Sequence, residues 1–161
     1  MIHALQGVAH EHHDALLPHV DALDAIADGI GTSSPHEVAE RLAAEHHFLS
    51  AQLIPHMEQA EQTLHPVLER LMQNRHSMTP MRREHEQLRR LIDELGGLRV
   101  QPMEFGVQLR LRRVLYQMYA LLKVHLAEED AYLGVLEHNL SREEEDELAR
   151  GMAHAMADPI A

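Results

Sequence analysis

The chain has 161 residues, a formal charge of −12 with histidine neutral, and no cysteine. That length suits one domain with a single sizeable core. The acidic balance argues against nucleic acid or an anionic membrane as a partner. The lack of thiols excludes disulfides, thiolate zinc sites, iron–sulfur clusters and cysteine nucleophiles together. Aromatic residues make up only 3% and there is no Trp, which points to helix rather than sheet. No apolar run approaches a membrane span and no signal-peptide pattern follows Met1, so a cytoplasmic protein is expected. The outlying number is 15 histidines. Without cysteine, surplus imidazole suggests metal ligation. Several of them, His3, His36, His46, His76, His138 and His154, have no marked context and are expected in solvent.

The first helix is expected from about Ile2 to Ala27, ending at Asp28-Gly29. Its stripe is Leu5, Ala9, His12 or His13, Leu16, Val20, Leu23 and Ile26, with a bend at Pro18. After the turn at Gly31 to Ser34, the string Ser34, Pro35, Glu37 gives an N-cap, a first-turn proline and a capping-box acid. The second helix runs to about Gln73, with irregularities at Pro55 and Pro66. Its stripe is Leu42, Leu49, Leu53, His56, Ala60, Leu64, Val67 and Leu71. Thr79-Pro80 starts the third, with stripe Met81, His85, Leu88, Ile92 and Leu95, and Gly96-Gly97 should stop it. The fourth begins near Pro102 and ends near His138. Its stripe steps by four and three through Leu111, Leu115, Met118, Leu122, His125, Glu129, Tyr132 and Leu136. Ser141 with Glu144 caps a last, acidic helix from about Arg142 to Met156. The fold expected is all-α: an antiparallel up-down-up-down four-helix bundle over residues 1–140, then a short acidic helix and tail over 141–161.

Each long helix carries a histidine on or beside its core stripe: His12/His13, His56, His85 and His125. A lone histidine of this kind is more often a satisfied core residue than a ligand, but one on each of four helices, at one depth, would make a site. Glu129, one turn past His125, needs a cation or hydrogen bonds if buried. Equal depth requires the midpoint of two histidines to fall at the turn between their helices. The midpoint of His13 and His56 falls at Ser34-Pro35, the expected turn. That of His56 and His85 falls near Arg70-Leu71, before the expected loop, and that of His85 and His125 at Phe105, after Gly96-Gly97. A midpoint error of about five residues is about 15 Å of level difference between ideal helices. The later pairs therefore need irregular helix ends.

His13-x-x-Leu16-Leu17-x-x-Val20, His56 with Glu61, Leu64 and Pro66, Glu84-His85, and His125 followed by Glu128-Glu129-Asp130 together resemble the hemerythrin-like (HHE cation-binding) domains. The resemblance covers about His10 to Leu136. It implies a four-helix bundle holding two non-haem irons, with histidines at the ends and two bridging carboxylates. An oxo or hydroxo group would bridge the irons. Members of that family carry dioxygen, sense oxygen, iron or redox state, or react with peroxide or nitric oxide. The ligand set carried over is His13, His56, Glu61, His85, His125 and Glu129. Imidazole and carboxylate suit iron or manganese on their own account, with zinc a further candidate.

The departures are specific. The family's His-x-x-x-Glu on helix two reads His56-x-x-x-Ala60 here. Glu61 lies about 100° off the stripe, so only a wide turn would rotate it inward; otherwise it is a solvated acid. Met81 stands where the oxygen carriers have a second histidine on helix three, which is more similar to the iron-sensing and bacterial branches. On helix one the stripe favours His12 and the family register His13. On helix four the stripe selects Glu129 and the oxygen-carrier spacing Asp130. His65 stands where relatives often have Tyr or Phe, and is either an extra ligand or a partly exposed histidine. Tyr132 is either a core tyrosine or a catalytic donor or phenolate ligand beside the site. Two function classes follow: a module that binds or senses dioxygen, nitric oxide or iron, and an oxidoreductase that consumes peroxide or nitric oxide. A metal-free helical interaction protein fits the histidine placement least.

Overall fold

The structure, a computed structural model, describes residues 4–156. The expected start at Ile2, His3 and the side chain of His154 lie outside the described residues. These residues form α1 (Ala4–Gly29), α2 (Pro35–Phe48), a π-helical turn (Leu49–Leu53), α3 (Ile54–Leu71), α4 (Thr79–Leu98), α5 (Phe105–Asn139) and α6 (Arg142–Met156). There is no strand among them. The helices form a bundle in which α1 and α4 pack on α5, while α6 lies across α1 and α3.

The helix ends follow local chemistry. Gly31, at φ +88°, supplies the left-handed residue after α1. The Ser34 hydroxyl accepts from the Glu37 amide at the start of α2. At α6 the capping box is complete: Glu144 N–H donates to Ser141 Oγ, and Ser141 N–H donates to Glu144 Oε2 at 3.0 Å. Pro18 and Pro66 sit inside continuous helices. The break near Pro55 takes the form of the π turn just before it. The extra residue of that turn rephases α3 relative to α2 without ending the helix.

Gly96-Gly97 does not stop α4, which continues to Leu98. Gly96 has a different reason: a Cβ there would come within 2.7 Å of His46 Nε2. His46 is accordingly half-buried against α4, not in solvent as expected, whereas His36, His76 and His138 are exposed.

Two apolar clusters fill the bundle. One holds Leu16, Leu53, Met57, Leu88, Leu122 and Leu126 among others. The second holds Leu5, Ala9, Ala60, Leu64, Met81, Leu133 and Leu136, together with Ala149 and Met152 of α6. On each long helix the chain crosses from one cluster to the other at a histidine or at Glu129. His12 and His13 lie between Ala9 and Leu16, His56 between Leu53 and Ala60, His85 between Met81 and Leu88, and Glu129 between Leu126 and Leu133. A polar belt therefore separates the two halves of the core.

Candidate metal centre

The belt is buried on α1, α3, α4 and α5 alike. His12, His13, His56, His65, His85, His125 and Glu129 are each at most 8% exposed. Glu129 is its centre on one side. Glu129 Oε2 lies 3.0 Å from His13 Nε2 and 3.4 Å from His56 Nε2. Burial opposes its ionisation, but the imidazoles of His56, His13 and His125 outweigh burial and hold its carboxyl well below the usual range. The second nitrogen of His13, Nδ1, lies 2.8 Å from Asp130 Oδ1. Burial presses the His13 ring toward neutrality, yet Glu129 and Asp130 prevail and raise its pKa. The alternative between His12 and His13 dissolves, because both are buried. His12 stands edge-on to His56, with ring centroids 5.7 Å apart. Burial, then the neighbouring imidazoles His56 and His13, bring its pKa down to about 4 despite the opposing pull of Glu129.

On the other side, His85 and His125 meet with ring centroids 4.9 Å apart. The depth expected from counting residues was several turns off for this pair. Counting fails because the connection includes extended residues before α5, and an extended residue advances about twice as far as a helical one. Each ring is backed by a carboxylate: His85 Nδ1 lies 2.7 Å from Glu61 Oε1, and His125 Nδ1 lies 3.1 Å from Glu84 Oε2. Burial, followed by His125, lowers the His85 pKa to about 4.

Glu61 stays off the stripe, as Ala60 keeps the inward place at 4% exposure. The π turn lies upstream of His56 and so leaves the angle between His56 and Glu61 unchanged. Instead Glu61 faces α4, where Arg89 donates to it from two nitrogens at 3.1 Å. Glu84 lies off the α4 stripe, so periodicity does not select it as a site residue; its adjacency to His85 is the available signal in the sequence. Tyr132 is half-buried and borders a small cavity with His65, Met81, Leu133 and Glu129.

Among the described residues, no three histidine or carboxylate groups are drawn in around one point at ligand distance. Glu129 is instead shared by histidines. The donor set nevertheless fits a cation. His12 Nδ1, His65 Nδ1, His85 Nε2, His125 Nε2 and Glu129 Oε1 are buried without a hydrogen-bond partner. Glu129 Oε1 is 3.3 Å from His56 Nε2 but not in hydrogen-bonding alignment. A buried polar atom left unpaired costs about 1–3 kcal/mol, and such atoms are rare. Five in one belt, all with lone pairs suited to hard or borderline metals, are consistent with coordination.

Comparison with known proteins agrees. No curated protein and no solved structure matches the chain. The family model described as the hemerythrin HHE cation-binding domain matches residues 7–136, the span that contains the whole belt. The chain belongs to the hemerythrin HHE cation-binding domain family.

Proposed function

We infer that the belt is a non-haem diiron centre, held by His13, His56, His85, His125 and Glu129, that binds or reacts with dioxygen, peroxide or nitric oxide. The observation that carries this reading is the state of His85 and His125. Each has Nδ1 on a carboxylate and Nε2 buried without a partner. A carboxylate on Nδ1 fixes the tautomer that presents a lone pair on Nε2, the arrangement of a metal-bound imidazole. Glu61 and Glu84 then orient ligands; in this reading Glu61 acts through His85 and does not ligate directly. Glu129 supplies the carboxylate between the two sides.

Iron bound here would supply Lewis acidity and redox chemistry. The chain's own residues hold the donors and set the size of what enters. The cavity beside Glu129 has room for about one water, 10 Å³ for its centre. That suits a diatomic or peroxide better than a larger substrate. Tyr132 lines the cavity, and we assign its hydroxyl as the donor to a ligand held there. Manganese or zinc suits the same donors.

Four long helices joined by short turns support an antiparallel up-down-up-down bundle over residues 1–140, with 141–161 added to it. Met81 in the place of a second α4 histidine favours the bacterial and iron-sensing branches over the oxygen carriers. The net charge of −12 fits neither nucleic acid nor an anionic membrane as partner. No helix among the described residues is long and apolar enough to cross a membrane, and we place the protein in the cytoplasm.

The test is metal analysis with an ultraviolet–visible spectrum of the purified protein. A pair of irons per chain with near-ultraviolet oxo-to-iron bands is expected, and His125→Ala should lose metal. Consumption of added peroxide or nitric oxide marks an enzyme; binding without turnover marks a sensor or store. A protein that takes up no iron when ferrous salt is supplied sinks the reading.

A further inference from the structure

The buried histidine His65 is not accounted for by the ligand set above. It is 2% exposed, and its Nδ1 has no hydrogen-bond partner. It lies one turn after Glu61 on the face of α3 that meets α4. Its ring centroid is 5.4 Å from that of His85, which in turn is 4.9 Å from that of His125. In a tetrahedral or octahedral site with metal–nitrogen bonds of about 2.0–2.1 Å, neighbouring imidazole centroids fall about 4.5–5.3 Å apart. The His85–His125 spacing falls inside this range and the His65–His85 spacing lies about 0.1 Å beyond it.

A core histidine without function should resemble its surroundings or find an acceptor. The Nδ1 of His65 finds no partner, although Glu129 and Tyr132 line the same cavity; its other neighbours there, Leu68, Met78, Met81 and Leu133, are apolar. Phe or Leu would fill the space without the cost of a bare nitrogen.

The geometry points to His65 Nδ1 as a metal ligand that joins His85 and His125 in a three-imidazole pocket for a divalent cation, compensating for donors that Ala60 and Met81 cannot supply. This rests on the reading of the belt as a cation site. It makes the two halves of the belt unequal. The His65 side presents three imidazoles, while the His13 side adds Asp130 beside the shared Glu129.

The test uses the full chain, stripped of metal and titrated with cobalt(II), followed by visible d–d absorption and by bound metal per chain. The wild type should load in two steps. His65→Phe should weaken one step about tenfold or more and change its spectrum, leaving the other step intact. His65→Gln is the second variant should Phe fail to fold by far-ultraviolet circular dichroism. In zinc-loaded wild type, the His65 Nδ1 nitrogen resonance should move to the metal-bound position. If that resonance stays at its unligated position, or His65→Phe titrates as wild type while His125→Ala loses metal, the pocket is refuted and the belt still stands as a cation site. If the wild type binds neither cobalt nor zinc, both readings fall.

Discussion

Glu129 Oε2 sits 3.0 Å from His13 Nε2, and this contact ties α5 to α1 in the middle of the core. Both side chains are under one-tenth exposed. The carboxylate is stable there because imidazoles surround it, so the pair belongs to the folded state as well as to any bound metal. Removing one member of a buried charged pair costs about 3–5 kcal/mol, chiefly because the other is stranded. Glu129→Gln keeps the shape and removes the charge. In metal-free protein it should lower the melting temperature by about 10 °C, given about 2–4 °C per kcal/mol for a domain of this size. A thermal melt by circular dichroism reads this, and an unchanged midpoint would mean that Glu129 is protonated and indifferent to His13.

The carboxylates behind His85 and His125 should behave differently. Glu61 and Glu84 are partly exposed, at 28% and 18% of their side chains. Their loss should cost the metal-free fold little. Their contribution is to fix a tautomer and raise ligand basicity, an effect commonly of about 10–100-fold in metal affinity. Glu84→Gln should therefore leave the metal-free melting temperature within a few degrees of wild type and weaken iron or zinc binding at least tenfold, read by competition with a chelator. Glu61→Gln should do the same, with some added loss from freeing Arg89. A variant that binds as tightly as wild type would remove these acids from the site.

The periodicity of the chain made most of this legible, and its limits are physical. The α5 stripe placed Leu111, Leu115, Met118, Leu122, His125, Glu129 and Leu136 inward, and all are buried. Tyr132 is only half-buried, because 3.6 residues per turn lets the stripe drift until Leu133 takes its place. The same drift brings His65 and Leu68 inward on α3 in place of Val67 and Leu71. Helix caps at Ser34 and Ser141 could be read directly, since capping chemistry is local. What could not be read were contacts between helices. That Glu84 serves His125, or that Asp130 serves His13, depends on the rotation of one helix against another. Nor does residue counting give depth where extended residues and a π turn interrupt the helical rise.

Acid should unfold the metal-free protein by a calculable route. His12 and His85 have folded pKa values of about 4 against 6.5 when unfolded. As pH falls from 6.5 toward 4, the unfolded chain takes up protons that these folded rings refuse, and stability is lost across that window. At pH 5 each ring accounts for about 2 kcal/mol. Glu129, held low in the fold, adds to the loss as pH drops below 4.5 toward its folded value. His13 has the opposite sign: its pKa is raised, so its contribution is full below 6.5 and fades as pH climbs through the folded value. Urea midpoints for metal-free protein should therefore fall clearly between pH 7.5 and pH 5. His12→Gln should flatten that fall; equal midpoints for wild type at the two pH values would mean that the rings are charged in the fold.

The last helix closes the belt from outside. Met152 is 4% exposed and borders the same small cavity as His12, His56 and Gln59. The Gln59 amide donates to the Gly151 carbonyl at 3.0 Å, which fixes α6 along α3. Met152 thus stands between solvent and two belt imidazoles. Met152→Ala removes buried volume and should cost about 2–5 kcal/mol. It should also quicken the loss of bound metal to a chelator, because water and chelator gain a path to His12 and His56. Leu148→Ala, on the same helix but beside the outer α3–α6 groove, is the control: it should loosen α6 with a smaller gain in release rate. Equal release from Met152→Ala and wild type would show that α6 braces the bundle without guarding its centre.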